Sequence, residues 1–152
     1  MRFVADVMLG KLAKWLRILG YDTLYYRETL DRELIEIAER EGRILLTSDR
    51  ELLKCSHVEK FYISSDQWRQ QLREVVVRFG ISEDGVFTRC VECNSLLKKV
   101  AKEEVLGKVP PYIYKTHKEF GRCPKCNRIY WKGTHFEGAK EEVEKIMRGG
   151  EE

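Results

Sequence analysis

A chain of 152 residues with 43% hydrophobic and 35% charged residues holds enough apolar material for one ordinary domain or two small ones. A net charge of +3 does not by itself mark a polyanion-binding protein. Five cysteines, an odd number, exclude a fully paired disulfide framework and point to a reducing compartment. No run of about 18 apolar residues is present, and the N-terminal stretch mixes Asp6 with scattered bases. Neither a membrane span nor a secretory signal is read, and a cytoplasmic location is expected.

In chain order, Arg2–Val7 (R-F-V-A-D-V) has the length and composition of a buried strand. Leu9, Leu12, Leu16 and Leu19 then recur at helical spacing with Ala13 beside them, while Lys11, Lys14 and Arg17 fall on another face. Gly20 stands where a helix C′ glycine would. Thr23–Tyr26 is β-prone. Asp31 opens a second helix running to Glu41, with Leu34, Ile35 and Ala38 as its buried stripe and Gly42 as its stop. Arg43–Thr47 is an apolar run of strand length. Ser48-Asp49-Arg50-Glu51 has the Ser-x-x-Glu capping pattern, with Ser48 as the expected cap. Phe61–Ile63 is a fourth strand, and Ser65 or Asp66 is expected to cap a helix reaching Phe79.

Strand–helix alternation of this kind predicts an α/β fold, a mostly parallel sheet flanked by helices. The segment G-I-S-E-D-G at 80–85 is the expected boundary, giving an α/β domain at 1–84 and a small β module at 85–152. The second part carries short strands, a helical turn or two at Lys102–Leu106, the Pro110-Pro111 pair and a charged helical tail at Ala139–Met147.

Asp6, Asp31 and Asp49 each lie at the end of a predicted strand or the head of a helix. Ligands of open parallel sheets collect at the carboxyl ends of the strands, so the three are expected in one cleft. Clustered carboxylates repel, and a hard divalent cation such as Mg²⁺ or Mn²⁺ relieves the repulsion. Two such ions suit phosphodiester hydrolysis. Ordinary alternatives exist. Asp31 serves equally well as an N-cap, and Asp49 as a first-turn acid favoured by the helix dipole, although the Ser48–Glu51 box makes Asp49 redundant as a cap. Asp6, inside F-V-A-D-V, has no turn or cap to serve, and a buried unpaired carboxylate is costly. Glu28 and Glu33 are further ligand candidates near Asp31.

The second half holds two Cys-x-x-Cys knuckles, Cys90/Cys93 in R-C-V-E-C-N and Cys123/Cys126 in R-C-P-K-C-N, separated by 29 residues. Two thiolate pairs on tight turns are the ligand set of a structural Zn²⁺. A closed four-thiolate site has no open position, so no catalysis is assigned to it. Cys55 is left over as a small core or surface residue. Lys11, Lys14 and Arg17 form a basic stripe placed for RNA phosphates, or simply a solvated helix face. Arg122, Lys125, Arg128 and Lys132 surround the second knuckle. With Tyr130, Trp131 and His135 interleaved, they offer a cationic surface with rings for bases, or the rings form the ribbon's small core.

The segment F-V-A-D-V-M-L-G-K-L-A-K-W-L-R-I-L-G-Y-D-T, the later R-I-L-L-T-S-D, both knuckles and the closing I-Y-W-K-G-T-H together resemble one family. It is the PIN-like RNase domain with a fused zinc ribbon, named for its place at the C-terminus of the "mutator-seven" exonucleases, with stand-alone forms in prokaryotes. The resemblance implies a PIN-like fold, divalent-metal-dependent cleavage of RNA and a C-terminal zinc ribbon. By residue, Asp6 matches the first-strand acid, Asp49 the T-x-D acid, and Asp31 looks like the intermediate acid. PIN nucleases usually show four acids; three are clear here.

Three functions stay open on the sequence. The first is a metal-dependent ribonuclease acting on single-stranded RNA, with Lys11, Lys14, Arg17, Trp131 and His135 as RNA contacts. The second is a non-catalytic RNA-binding or ribosome-associated adaptor. The third is a zinc module for protein contacts. An acid cluster repels RNA unless metal is bound, which favours cleavage over plain binding.

Overall fold

β1 (Phe3–Ala5) has no exposed face: Phe3, Val4 and Ala5 are all fully buried. Such a strand belongs in the middle of a sheet covered on both sides. In the computed structural model, which describes residues 1–55 and 57–148 and omits the side chains of residues 134 and 135, β1 is central. It pairs in parallel with β2 (Thr23–Tyr25) and β3 (Ile44–Thr47), and β3 pairs in parallel with β4 (Lys60–Tyr62), giving the order β2-β1-β3-β4. The expected parallel sheet is therefore present. The crossovers are α1 (Gly10–Ile18), α2 (Asp31–Glu41) and a 3-10 turn at Arg50–Lys54, with α3 (Trp68–Phe79) after β4.

Alternation along the strands sorts the core into two layers. Phe3, Ala5 and Leu46 face α1 and α3, where Leu12, Leu16, Leu72 and Val75 complete one buried cluster. Val4 and Leu45 face the other way and pack with Leu34 and Ala38 of α2 and with Leu52.

The C-terminal module is an antiparallel sheet in the order β5 (Lys98–Val100), β6 (Phe120–Arg122), β7 (Ile129–Tyr130). A 3-10 turn at Lys102–Val105 and α4 (Pro111–Thr116) lie between β5 and β6 and cover a small core of Val105, Val109 and Phe120. The last helix, α5 (Thr134–Met147), begins earlier than its charged sequence suggests. It is not a tail of the ribbon. Val143 and Ile146 are buried in the α1/α3 core, and Arg69 of α3 grips the Glu142 carboxylate with two hydrogen bonds of 2.9 and 3.1 Å. The chain thus returns to its first half. No helix among the described residues is long and apolar enough to cross a membrane.

Two caps differ from expectation. The helix after β3 is a 3-10 turn whose N-cap is Asp49, not Ser48: the Asp49 side chain accepts from the Glu51 amide at 2.9 Å. α3 starts at Trp68 with neither Ser65 nor Asp66 as its N-cap. Instead Glu74 reaches back to accept from the Ser64 and Ser65 amides.

Candidate metal centre and carboxylate edge

Both knuckles fold alike. In each, the residue after the second cysteine, Asn94 or Asn127, takes a left-handed backbone (φ 65° and 64°), a conformation asparagine tolerates better than most residues. Its amide closes the turn on the first cysteine's carbonyl, at 2.8 Å for Asn94 to Cys90 and 2.9 Å for Asn127 to Cys123. The turns bring four sulfurs within 4.8 Å of one another, and the Cys90–Cys126 separation is 3.7 Å. A tetrahedron with Zn–S bonds of about 2.3 Å has edges of roughly 3.8 Å, so the cluster has the chemistry and spacing to hold zinc. The surroundings of the thiols explain why a cation suits it. The Arg128 amide draws the Cys126 thiol down to about 7, whereas lost hydration and the hydrogen bonds with Cys126 and Cys123 push Cys93 up to about 12. Four crowded thiols cannot all ionise unless a positive ion shares the space. Tyr130 adds an outer contact, donating its hydroxyl to the Cys90 sulfur at 3.3 Å.

The first knuckle is also a joint. Asn94 accepts from the Thr23 amide at the start of β2 (3.0 Å) and donates to the Asp22 carboxylate (2.7 Å). The Arg43 guanidinium, itself buried, also donates to Asp22 at 2.8 Å. Arg17 donates to the carbonyls of Thr23 (2.8 Å), Val91 (2.9 Å) and Glu92 (3.2 Å). Arg89 donates to the Gly20 carbonyl at 3.1 Å. Gly20, at φ 93°, has the Gly85 carbonyl where a Cβ would sit 2.3 Å away, so only glycine admits the approach of the second module. Arg17 is therefore drawn off the basic stripe and into the joint. Lys11 and Lys14 remain exposed along α1.

The carboxylates lie at the opposite, C-terminal edge of the parallel sheet. Asp6 follows β1 and is only 3% exposed. Contrary to the sequence reading, it does serve a cap: its Oδ1 accepts from the Met8 amide at 2.8 Å and opens the 3-10 turn Val7–Leu9. Its Oδ2 accepts from the Thr47 hydroxyl (2.5 Å) and the Ser48 amide (3.2 Å). The Thr47 hydroxyl oxygen in turn accepts from the Asp49 amide at 2.9 Å. Asp6, Thr47 and Asp49 thus form one bonded unit. A carboxylate offers about four acceptor positions, and three of those on Asp6 are used. Asp31 is exposed at the first turn of α2, with no hydrogen bond to that unit. Glu33 caps the same helix, accepting from the Leu30 amide at 3.0 Å, and that bond with the one from Thr29 holds its carboxyl below the usual range. A shallow groove of about 460 Å³ flanks this edge, lined by Val7, Arg27, Glu28, Thr29, Leu30 and Glu33. Among the described residues no three of these carboxylates bring ligand oxygens as close together as the four sulfurs.

Of the other predicted contacts, Trp131 is half-buried and meets Phe120 edge-on at 6.5 Å, part of the ribbon's core. The His135 side chain lies outside the described residues. Sequence reasoning missed the roles of four residues, Thr47, Asn94, Asn127 and Tyr130. Thr47 was visible as the T of L-L-T-S-D, and the asparagines closed both knuckle motifs. Tyr130 was read as a ring for bases or for the ribbon core, and nothing in I-Y-W signalled its bond to the Cys90 sulfur.

Fold and site together define an α/β protein with a four-helix-flanked parallel sheet at one end and a four-cysteine, ribbon-type module at the other. The family described as "Mut7-C RNAse domain" matches residues 1–143, and the chain belongs to that family. It is 34% identical over 103 residues to the human "Exonuclease mut-7 homolog", a match covering 61% of this chain and 12% of the human protein. No solved structure matches the chain. Family membership points to a nuclease or RNA-related function.

Proposed function

We propose that this chain is a divalent-metal-dependent ribonuclease of PIN-like type that hydrolyses phosphodiester bonds in single-stranded RNA, its ribbon stabilised by zinc. One observation carries the reading. Asp6 is a buried carboxylate at the C-terminal end of the central strand, oriented by three hydrogen bonds and retaining one open acceptor position. Capping a three-residue 3-10 turn does not require so buried an acid. A carboxylate fixed in this way is suited to be a metal ligand.

The donors at this edge are all oxygens, which suits Mg²⁺ or Mn²⁺. Asp6 and Asp49 would hold the ion, with Asp31 approaching from α2 and Glu28 from the flanking groove. When bound, such an ion supplies an activated water and neutralises charge on the scissile phosphate. Thr47 acts on Asp6, fixing its orientation through the 2.5 Å hydrogen bond. Lys11 and Lys14, exposed on the helix that follows Asp6, attract and position phosphates.

A second reading, an RNA-binding adaptor, is favoured by a specific feature: Asp31 does not join the Asp6–Asp49 unit. The test is cleavage of labelled single-stranded RNA with Mn²⁺, comparing wild type and Asp6→Asn at equal zinc content, without chelators that would unfold the ribbon. Asp6→Asn is expected to lower the rate about 100-fold or more, and Thr47→Val about 10-fold. Equal cleavage by wild type and Asp6→Asn would sink the nuclease assignment. RNA binding without cleavage by either would establish the adaptor.

A further inference from the structure

Two grooves flank the wall made by Phe87, Tyr130 and Trp131. The larger, about 820 Å³, runs between the α/β unit and the ribbon. Its charges are nearly balanced, with Lys14, Arg69 and Arg128 against Glu92 and Glu142, and Arg69 is tied to Glu142. Its best ring is also occupied: Trp68 stacks on Trp15 at 4.8 Å, with Lys11 and Arg69 over it.

The smaller groove, about 640 Å³ on the ribbon, differs in both respects. Lys98, Lys99, Lys118 and Lys132 face a single acid, Glu119. Among the described residues, the side chains of Lys98, Lys99 and Lys118 have no ion-pair, hydrogen-bond or ring partner. Lys98 stands directly opposite Arg122 in the β5–β6 register. Like charges facing each other across a strand pair are destabilising. Arg122 turns to Glu104 at 3.8 Å, and Lys98 has no such relief. Lysines do guard exposed edge strands. That accounts for Lys98 and Lys99 on β5, but not for Lys118 before β6 or Lys132 after β7. These come from separate segments and converge on one groove. The rest of its lining combines apolar and ring surface, with Phe87, Trp131 and a 59%-exposed Leu96, and the polar Thr88, Thr116 and His117.

We infer that this ribbon groove is a second binding site for single-stranded RNA, in which the four lysines contact phosphates and the Phe87–Leu96–Trp131 wall receives unstacked bases. Uncompensated cations with adjacent ring surface are what single strands require. A duplex keeps its bases inside and uses only the charge. The inference rests on RNA being the substrate of the site proposed above. The strand would be held on the ribbon while the carboxylate edge acts on another part of it.

The test uses the zinc-loaded full chain, a labelled oligouridylate and no added divalent ion, with binding followed against salt. In K98E/K99E/K118E, affinity is expected to fall about tenfold or more near ~0.1 M salt. The slope of log K against log salt should fall by roughly 2, at about 0.7 for each phosphate no longer neutralised. Lys118→Gln alone, off the edge strand, should lower the slope by about 0.7. Mn²⁺-dependent cleavage of a dinucleotide, too short to reach the groove, should be unchanged in both variants. A folded, zinc-loaded triple variant that binds with the wild-type slope would overturn the groove while leaving the nuclease reading intact. Wild type that binds steeply but cuts nothing would do the reverse.

Discussion

The two cysteine knuckles are written almost alike, R-C-V-E-C-N and R-C-P-K-C-N, and they fold alike, yet they differ in what they hold together. In the first, Cys90 and Asn94 are buried, and Asn94 is inserted between Thr23 and Asp22 of the α/β unit. In the second, Cys123 is as buried as Cys90, but Cys126 and Asn127 are exposed. The same local motif is thus a joint in one place and a surface loop in the other. Local sequence determines the turn and its sulfurs. Burial and distant partners determine what else the turn stabilises.

The comparison breaks first at the metal. Structural zinc contributes about 10–16 kcal/mol in small modules, more than any single contact in the joint. Cys90→Ser and Cys126→Ser should therefore behave alike, each dropping zinc below one per chain and releasing hydrogen-exchange protection in β5–β7. Protection in β1 and β3 should persist, because their buried layers do not include the sulfurs. Parallel loss of protection in β1 would show that ribbon and sheet unfold as one unit.

The asparagines should separate the two roles. Asn127→Ala is expected to cost about 1 kcal/mol, the left-handed backbone penalty, and Asn127→Gly close to nothing. Asn94→Ala should cost about 3 kcal/mol, because it also strands the Thr23 amide and removes a partner from Asp22. Asn94→Gly should still cost about 2 kcal/mol. Thermal unfolding of the zinc-loaded proteins measures all four, and equal costs at the two sites would erase the distinction.

A further small effect concerns Asp22 and is pH-dependent. Burial alone would raise this carboxyl, but hydrogen bonds from Arg43 and Asn94 outweigh it and hold it below its ordinary value. A carboxyl lowered on folding contributes stability above its unfolded value, about 3.9, and loses it as pH falls through the folded value. After allowance for its partial exposure, Asp22→Asn should cost about 1 kcal/mol near neutrality. The difference from wild type should vanish in acid. Urea unfolding of both proteins across one buffer series checks this, since acid loss of zinc is common to the two. A difference that survives in acid would mean the Asp22 charge is not what supports the joint.

Much of the architecture was legible because it depends on short-range spacing. Alternation and helical periodicity located all four parallel strands and the first three helices, and the Cys-x-x-Cys spacing located the sulfurs. Apart from the local choice between Ser48 and Asp49 as a cap, three differences share one cause. Asp6 looked unemployed because the 3-10 turn it caps exists only where β1 meets the end of β3, with Thr47 and Ser48 as its partners. Arg17 looked like part of a phosphate stripe because its carbonyl partners at Val91 and Glu92 are more than 70 residues away. α5 looked like a polar tail, and it is the packing of Val143 and Ile146 against α1 and α3 that gives it a place.

By itself, then, the sequence determined the pieces: a parallel α/β unit, two knuckles able to grip one ion, and acids placed at strand ends. Turns, periodicity and thiol spacing are properties of neighbouring residues, and they hold wherever the segment sits. Only the tertiary structure decided which knuckle became the joint, how Asp6 is oriented, and which lysines face one groove without partners. Each of those depends on groups far apart in the chain, brought within hydrogen-bonding or Coulombic reach when the two apolar layers close.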